Sequence, residues 1–434
     1  VNVAYKKAAV AVILLAAALG ACSRISGLTS EAPDTESKTV ERTAVQETGA
    51  VPEQVSSPRK EFIFIEKNEV ESKKLRLAER DAALLPGFQY LMKEADKALG
   101  LTPPSVMDKT GIAPTGDKHD YWSLSPHSWP DPAMPGGMPY KEIPDAVNSQ
   151  SMSGDYDKAA LSKMTEAVNT LALAYYYTGD ERYAHQASLF LKTWFLHPET
   201  RMNPNLNFGQ TFPGRNGGGN IIDAALLIHL PDSLLMLEGS PSWTQQDDEG
   251  VREWMRQFSE WMMSSEVGRK GKSAANNHST WFDVEYITFL LATGQNQAAF
   301  HHLQDHSMRL IDLQIDSEGR MPNELNGPKA FHHSLYNLKA FSLLAAAAEH
   351  VGVDLWHYQG SRGQSLNAAY SYMAEYLLGK PWPYTGSRDE LKSEVMSGMI
   401  AAGSIYDTAA VRSAAELLRD KAGFKLPIYG VRGF

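Results

Sequence analysis

The sequence predicts an all-α fold in which helical hairpins repeat into a ring or stack. Three observations lead there. First, apolar residues recur at helical spacing over roughly 68–99, 156–178, 181–196, 220–238, 242–265, 279–293, 296–315, 329–351, 363–379 and 405–421. Second, short breakers such as Tyr177-Thr178-Gly179-Asp180 and Ala292-Thr293-Gly294-Gln295 separate neighbouring stretches. A glycine just past the last periodic residue is a helix C-terminal signal. Third, the resulting hairpins are of similar size and repeat without close identity. Length alone suggests two or three domains. The unbroken hairpin series instead makes 61–434 one helical domain, and no stretch reads as a separate β-domain.

Ahead of that domain, residues 1–21 read as a secretory leader. Lys6 and Lys7 give a positive start, and Ala8 to Leu19 is an apolar run too short to span a bilayer comfortably. The leader ends Leu19-Gly20-Ala21-Cys22, which resembles a bacterial lipobox. On that resemblance Cys22 is the lipidation site. Ser23 follows it, not the aspartate linked to inner-membrane retention, so an outer-membrane or periplasmic location in a Gram-negative cell is expected. The alternative is a buried apolar helix with an incidental cysteine. Residues 22–60 are rich in Ser, Thr, Glu, Pro and Val and read as a flexible tether.

Composition supplies exclusions. The chain has 434 residues and one cysteine, which rules out a disulfide framework and any Cys-rich zinc site. A formal charge of −10 argues against nucleic acid as a partner. It leaves room for an anionic ligand in a local basic cleft. Two stretches interrupt the helices. Residues 101–155 are rich in Pro, Gly, Trp and Tyr, and 198–219 run PETRMNPNLNFGQTFPGRNGGG. Long loops inside a compact domain are often functional. Exposed rings on them suit sugars, whose apolar faces stack on aromatics.

Three segments could carry chemistry. Asn276-Asn277-His278-Ser279-Thr280-Trp281 precedes an apolar helix. Asparagine there is a helix-start signal, and the positive helix end favours an anion while disfavouring a protonated imidazole. The plainer reading is an N-cap beside a surface histidine. Lys329, His332, His333 and Tyr336 stand at i, i+3, i+4 and i+7, one face of a helix; a solvated face explains them equally well. His332 and His333 point about 100° apart on a helix and are poor joint ligands. No HExxH pattern occurs, and neither a metal nor a cofactor is expected. The third segment, His119 to Pro132, is a proline-rich loop in which Tyr121, His127 and Trp129 could line a groove. There is no GxSxG elbow, no phosphate-binding Gly-rich loop, and no carboxylate pair that stands out.

Asn276-Asn277-His278-Ser279 with its following Trp281 resembles the signature of alginate lyases and related polyuronate lyases of the α/α-toroid type. Pro322-Asn323-Glu324-Leu325, leading into the Lys329–Tyr336 helix, resembles their second signature. Asp120 to Pro126, Trp129 to Pro132, Asn203 to Asn207, Pro213-Gly214 and Ile221 to Asp223 are also similar to that family, so the likeness spans most of 115–350. It implies an (α/α) toroid, an incomplete α/α barrel. It also implies β-elimination on an acidic polysaccharide.

In that reaction a proton leaves the carbon bearing the carboxylate, charge moves onto the carboxylate, and the glycosidic oxygen is protonated as it departs. By resemblance, Asn277 neutralises the carboxylate and His278 is a base or carboxylate partner. Tyr121, His127, Trp129, Asn205, Gln210, Arg215, Lys329 and His332 are the expected substrate contacts. The second signature departs from the family. Relatives place a tyrosine beside histidine on this helix and an arginine shortly after Glu-Leu; here stand His332-His333-Ser334 and Asn326-Gly327. The phenol's role then falls to Tyr336, to His333, or to a tyrosine from elsewhere such as Tyr121. Tyr336 as acid/base with His333 beside it is the favoured expectation, and the polymer is alginate, glucuronan or similar. Two competing readings are a non-catalytic glycan-binding lipoprotein and a glycoside hydrolase on the same toroid, which would need two carboxylates flanking the bond.

Overall fold

In a computed structural model, the described residues are 61–423, apart from 145, 216–218, 328 and 387–395. They all belong to one compact unit, Ser56–Phe434. The expected leader, the tether and Cys22 lie outside the described residues.

The unit is mainly helical: α1 (Lys67–Ala78), α2 (Leu85–Leu99), α3 (Lys158–Thr178), α4 (Glu181–Leu191), α5 (Leu230–Met236), α6 (Gln245–Ser264), α7 (Glu266–Lys272), α8 (Asn277–Ala292), α9 (Asn296–His302), α10 (Met308–Gln314), α11 (Ala330–Glu349), α12 (Leu366–Leu377), α13 (Met396–Ile405) and α14 (Ala409–Ala422). Consecutive helices pack as hairpins, α3 on α4 and α13 on α14 among them. The α3–α4 turn works as its sequence suggests. Gly179 sits at φ 68° and closes α3 through its N–H on the Tyr175 carbonyl, and Asp180 caps α4 by accepting from the Arg182 amide.

Several expected helices are subdivided. The 68–99 stretch breaks after α1, where Arg80 takes φ 61° and Pro86 opens α2. The 220–238 stretch starts as a 3-10 segment, Ile221–Leu227, before α5. A π turn at Leu303–Ser307 separates α9 from α10, and another at Lys192–Leu196 ends α4. Two helices have no counterpart in the apolar periodicity. One is α7. The other is α13, whose sequence MSGMIAAGSI hides its face behind small residues. Its Gly398 lies so close to the Lys339 backbone that a Cβ would come within 2.8 Å of the Lys339 Cα.

Helices α8 and α11 pack on each other at the centre. Every residue of α8 is buried except His278, Tyr286 and Leu291. On α11 only His332, His333, Tyr336, Lys339 and Glu349 escape burial. A helix apolar nearly all round belongs inside a fold. Truncating a ring there, such as Phe282 or Phe289, both 0 % exposed, would cost about 3–5 kcal/mol. The two long loops meet in a short parallel pair, β1 (Trp122–Leu124) with β4 (Phe208–Thr211). The 101–155 loop also forms a small antiparallel pair, β2 (Ser128–Trp129) with β3 (Lys141–Glu142).

Candidate active site

The site is built where α8 begins. Asn276 is its N-cap, with extended backbone and its side-chain oxygen accepting from the His278 amide. Asn277, the first helical residue, is spent on Glu324. Its backbone N–H donates to Glu324 Oε1 at 2.5 Å and its Nδ2 to Oε2 at 2.8 Å. Asn323 Nδ2 donates to the Ala275 carbonyl. The two motif segments are therefore docked on one another.

Behind them Gln314, at the end of α10, takes bonds from Thr280 Oγ1 and Asn337 Nδ2 and gives bonds to Ser279 Oγ and the Asn276 carbonyl. This buried amide fixes the start of α8 against α11, since Asn337 follows Tyr336 directly. Buried amides of this kind are costly to leave half-bonded, so the network holds one register.

Burial pushes the Glu324 carboxyl up to about 7, against the pull of its two bonds from Asn277. A carboxyl raised in the folded state stabilises the fold below the unfolded value of 4.5, and that contribution is lost as pH rises through 7. Glu324→Gln removes the titration. The variant should therefore gain on the wild type by roughly 3 kcal/mol between pH 4 and pH 8. Thermal melts of both proteins across that range check it. Parallel curves would show that Glu324 does not titrate there.

His278 lines a cavity of about 220 Å³ with Gly219, Asn220, Val267, Lys270, Gly271 and Asn276. Asn220 Oδ1 accepts from the Ile222 amide, so its Nδ2 faces the imidazole, 3.3 Å from His278 Nδ1. A donor there makes Nδ1 the acceptor and leaves the ring proton on Nε2. Burial, helped by the Lys270 ammonium, holds the His278 pKa below its ordinary value. At neutral pH the ring is uncharged and offers one N–H.

Lys270 is the cation that sequence reasoning missed. It sits on α7, in the basic last turn with Arg269 and Lys272. Gly268 lets that helix fold hard onto the end of α6, since any side chain there would collide with the Met262 carbonyl.

Tyr336 reaches the same helix start from α11. Its ring lies 4.8 Å from that of Trp281, one turn beyond His278, and stacks on His332 at 5.9 Å. His332 in turn touches His333, with ring centroids 5.8 Å apart. Trp281 is 3 % exposed and its indole N–H meets no protein acceptor, a donor left over beside the phenol. The structure thus brings Tyr336, His332 and His333 together against Trp281 of α8, while Asn277 faces Glu324 and His278 faces the cavity beside α7. Lys329 is the N-cap residue of α11.

The other expected contacts are held by the loops. Tyr121 is fully buried, and its hydroxyl donates to Asp223. Gln210, at φ 49°, donates to the same carboxylate, as do Ser123 and Lys158. Burial pushes the Asp223 pKa up, but Lys158 and these donors outweigh it and hold the group ionised. Tyr121 and Gln210 thus spend polar atoms on pinning the loops to the 3-10 segment behind Asn220. Asn205 Nδ2 donates to Asp120. His127 Nδ1 and Trp129 Nε1 share the Ala146 carbonyl. Arg215 donates to the Tyr140 carbonyl and covers the Phe212 ring.

The model of the alginate lyase family matches residues 105–382, which include every residue of this constellation. The chain belongs to the alginate lyase family. An alginate lyase from Bacteroides ovatus is 34 % identical, with a TM-score of 0.79 over 85 % of this chain and 98 % of that one. Alginate lyase A1-III from Sphingomonas species A1 is 15 % identical, with a TM-score of 0.47 over 78 % of this chain and 92 % of that one. Among curated proteins no sequence matches significantly. The all-α expectation holds: the fold is the α/α toroid of the alginate lyases, and the protein is a polysaccharide lyase.

Proposed function

We propose that this alginate lyase family member cleaves a uronic-acid polymer by β-elimination at the start of α8, with His278 and Lys270 receiving the sugar carboxylate, Asn277 fixing the helix start through Glu324 instead of meeting the sugar, and Tyr336 moving the proton. One observation carries the reading. His278 and Lys270 line one cavity at the start of α8, which the Glu324–Asn277 bonds hold in place, and the Tyr336 ring lies against Trp281 one turn further along the same helix. Charge developing on a carboxylate is best met by donors already in position, and those donors supply the larger share of the rate gain.

In the reaction the Tyr336 oxygen, as phenolate, takes the proton from the carbon next to the carboxylate. The electron pair forms the carbon–carbon double bond and expels the glycosidic oxygen, which takes the proton back from the phenol. Lys270 stands in for the arginine absent at Asn326-Gly327. Its exposed ammonium on a polyanion route also agrees with a basic cleft inside a chain of charge −10.

A panel of alginate, glucuronan and other polyuronates should give, with at least one polymer, ultraviolet-absorbing unsaturated ends. Products lacking the double bond would convict the reading in favour of hydrolysis, and binding without products would reduce the protein to a glycan receptor. The leader further supports a tether through lipidated Cys22 at the outer membrane, facing such polymers. Cys22→Ser should shift the protein from the membrane fraction to the soluble one, and an unchanged distribution would remove the anchor.

A further inference from the structure

Helix α8 carries a second polar cluster, outside the sugar site. Asp283 lies five residues past His278, about 8 Å along the helix axis. It is completely buried, and no lysine or arginine bonds to it among the described residues. Its Oδ1 is 2.7 Å from His302 Nε2. Its Oδ2 is 3.1 Å from His306 Nδ1 and accepts from Ser307 Oγ at 2.6 Å.

The two histidines stand one helical turn apart across the π turn Leu303–Ser307, and π turns of this kind often mark functional positions. Their rings are 5.0 Å apart. The edge of Tyr286 meets His302 at 4.8 Å. The His302 side chain is 7 % exposed and that of His306 24 %, so the cluster is closed on one side and reachable on the other. One ligand atom from each of Asp283, His302 and His306 lies within 4.8 Å of the others.

We propose that Asp283, His302 and His306 form a binding site for a divalent transition metal, zinc being the best match. Two imidazoles and one carboxylate are a nitrogen–oxygen donor set that zinc accepts readily, with water or Ser307 Oγ completing four-coordination. A divalent ion would also offset the charge of a carboxylate that is completely buried and bonded by no lysine or arginine among the described residues. The metal's work is structural. It ties α8 to the α9–α10 segment, and α8 is the helix that presents Asn277 and His278. The inference stands apart from the sugar chemistry and survives if the substrate assignment fails. No local sequence pattern marks the site, because Asp283 lies nineteen residues before His302.

The test uses the full chain, stripped with a chelator and then given zinc chloride. After gel filtration, elemental analysis should find one zinc per chain, and the melting temperature should rise by roughly 4 °C at saturating metal. Cobalt(II) in place of zinc should give the intense visible bands of a four-coordinate site. His302→Gln and His306→Gln should each lose the metal and the temperature shift, while His357→Gln, an exposed histidine elsewhere, should keep both. Wild-type protein that retains no zinc and melts unchanged would overturn the proposal, whatever the variants do. Full zinc retention by the paired His302→Gln and His306→Gln changes would overturn it equally.

Discussion

Tyr336→Phe should lower kcat on the best polyuronate by about a thousandfold, with little change in KM or in melting temperature. The substitution keeps the ring that contacts Trp281 and stacks on His332, so packing at the α8–α11 contact survives. What is lost is the one atom able both to take the proton and to return it to the departing oxygen. His333→Ala, in the same ultraviolet assay, should cost no more than about tenfold, because its imidazole supports the phenol's surroundings and transfers nothing. The reverse ordering would hand the proton to His333. Circular dichroism of both variants separates a chemical loss from unfolding.

Asn220→Asp should lower kcat/KM by roughly a hundredfold. The aspartate still caps the 3-10 segment, since its oxygen can accept from the Ile222 amide. Its second oxygen now faces His278 Nδ1, where the asparagine presented a donor at 3.3 Å. An acceptor in that place draws the ring proton to Nδ1 and leaves Nε2 bare. The imidazole then shows a lone pair to the substrate carboxylate and repels it. The same change distinguishes two roles. If His278 serves as the base, a bare Nε2 made more basic by a neighbouring carboxylate should hold or raise the rate. The nitrogen chemical shifts of His278 report which tautomer is present, independently of turnover.

Much of this arrangement could be read from the chain. The Gly179 and Gly294 turns announce hairpins because each glycine takes a positive φ that other residues resist. The Asn276–Trp281 motif marks a helix start by its capping chemistry. The stripe of Lys329, His332, His333 and Tyr336 predicts where α11 opens, and three of those residues are among the few on that helix that are not buried.

The rest was hidden for physical reasons. Lys270 sits in Glu266-Val267-Gly268-Arg269-Lys270-Gly271-Lys272, whose glycines suggest a loop; they are there because α7 presses on its neighbours too closely for a Cβ. Tyr121 and Gln210 read as groove residues because long polar loops with rings usually are. Only the fold reveals Asp223, a hundred residues from its bond partner Ser123, drawing their polar atoms inward. Glu324 was visible as part of a motif, but nothing local indicates that it holds Asn277 from 47 residues away.

The contrast between α7 and α8 sets where this enzyme can change. Helix α8 has almost no residue that is not wedged on every side, so nearly any substitution there taxes the fold before it alters the chemistry. On α7 only Gly268 is buried, yet Lys270 faces the same cavity as His278. New substrate preferences should accumulate on that short segment and not on the helix that carries the motif. Divergence within such a lineage would then leave the Asn-Asn-His start unaltered while the polymer being consumed drifts.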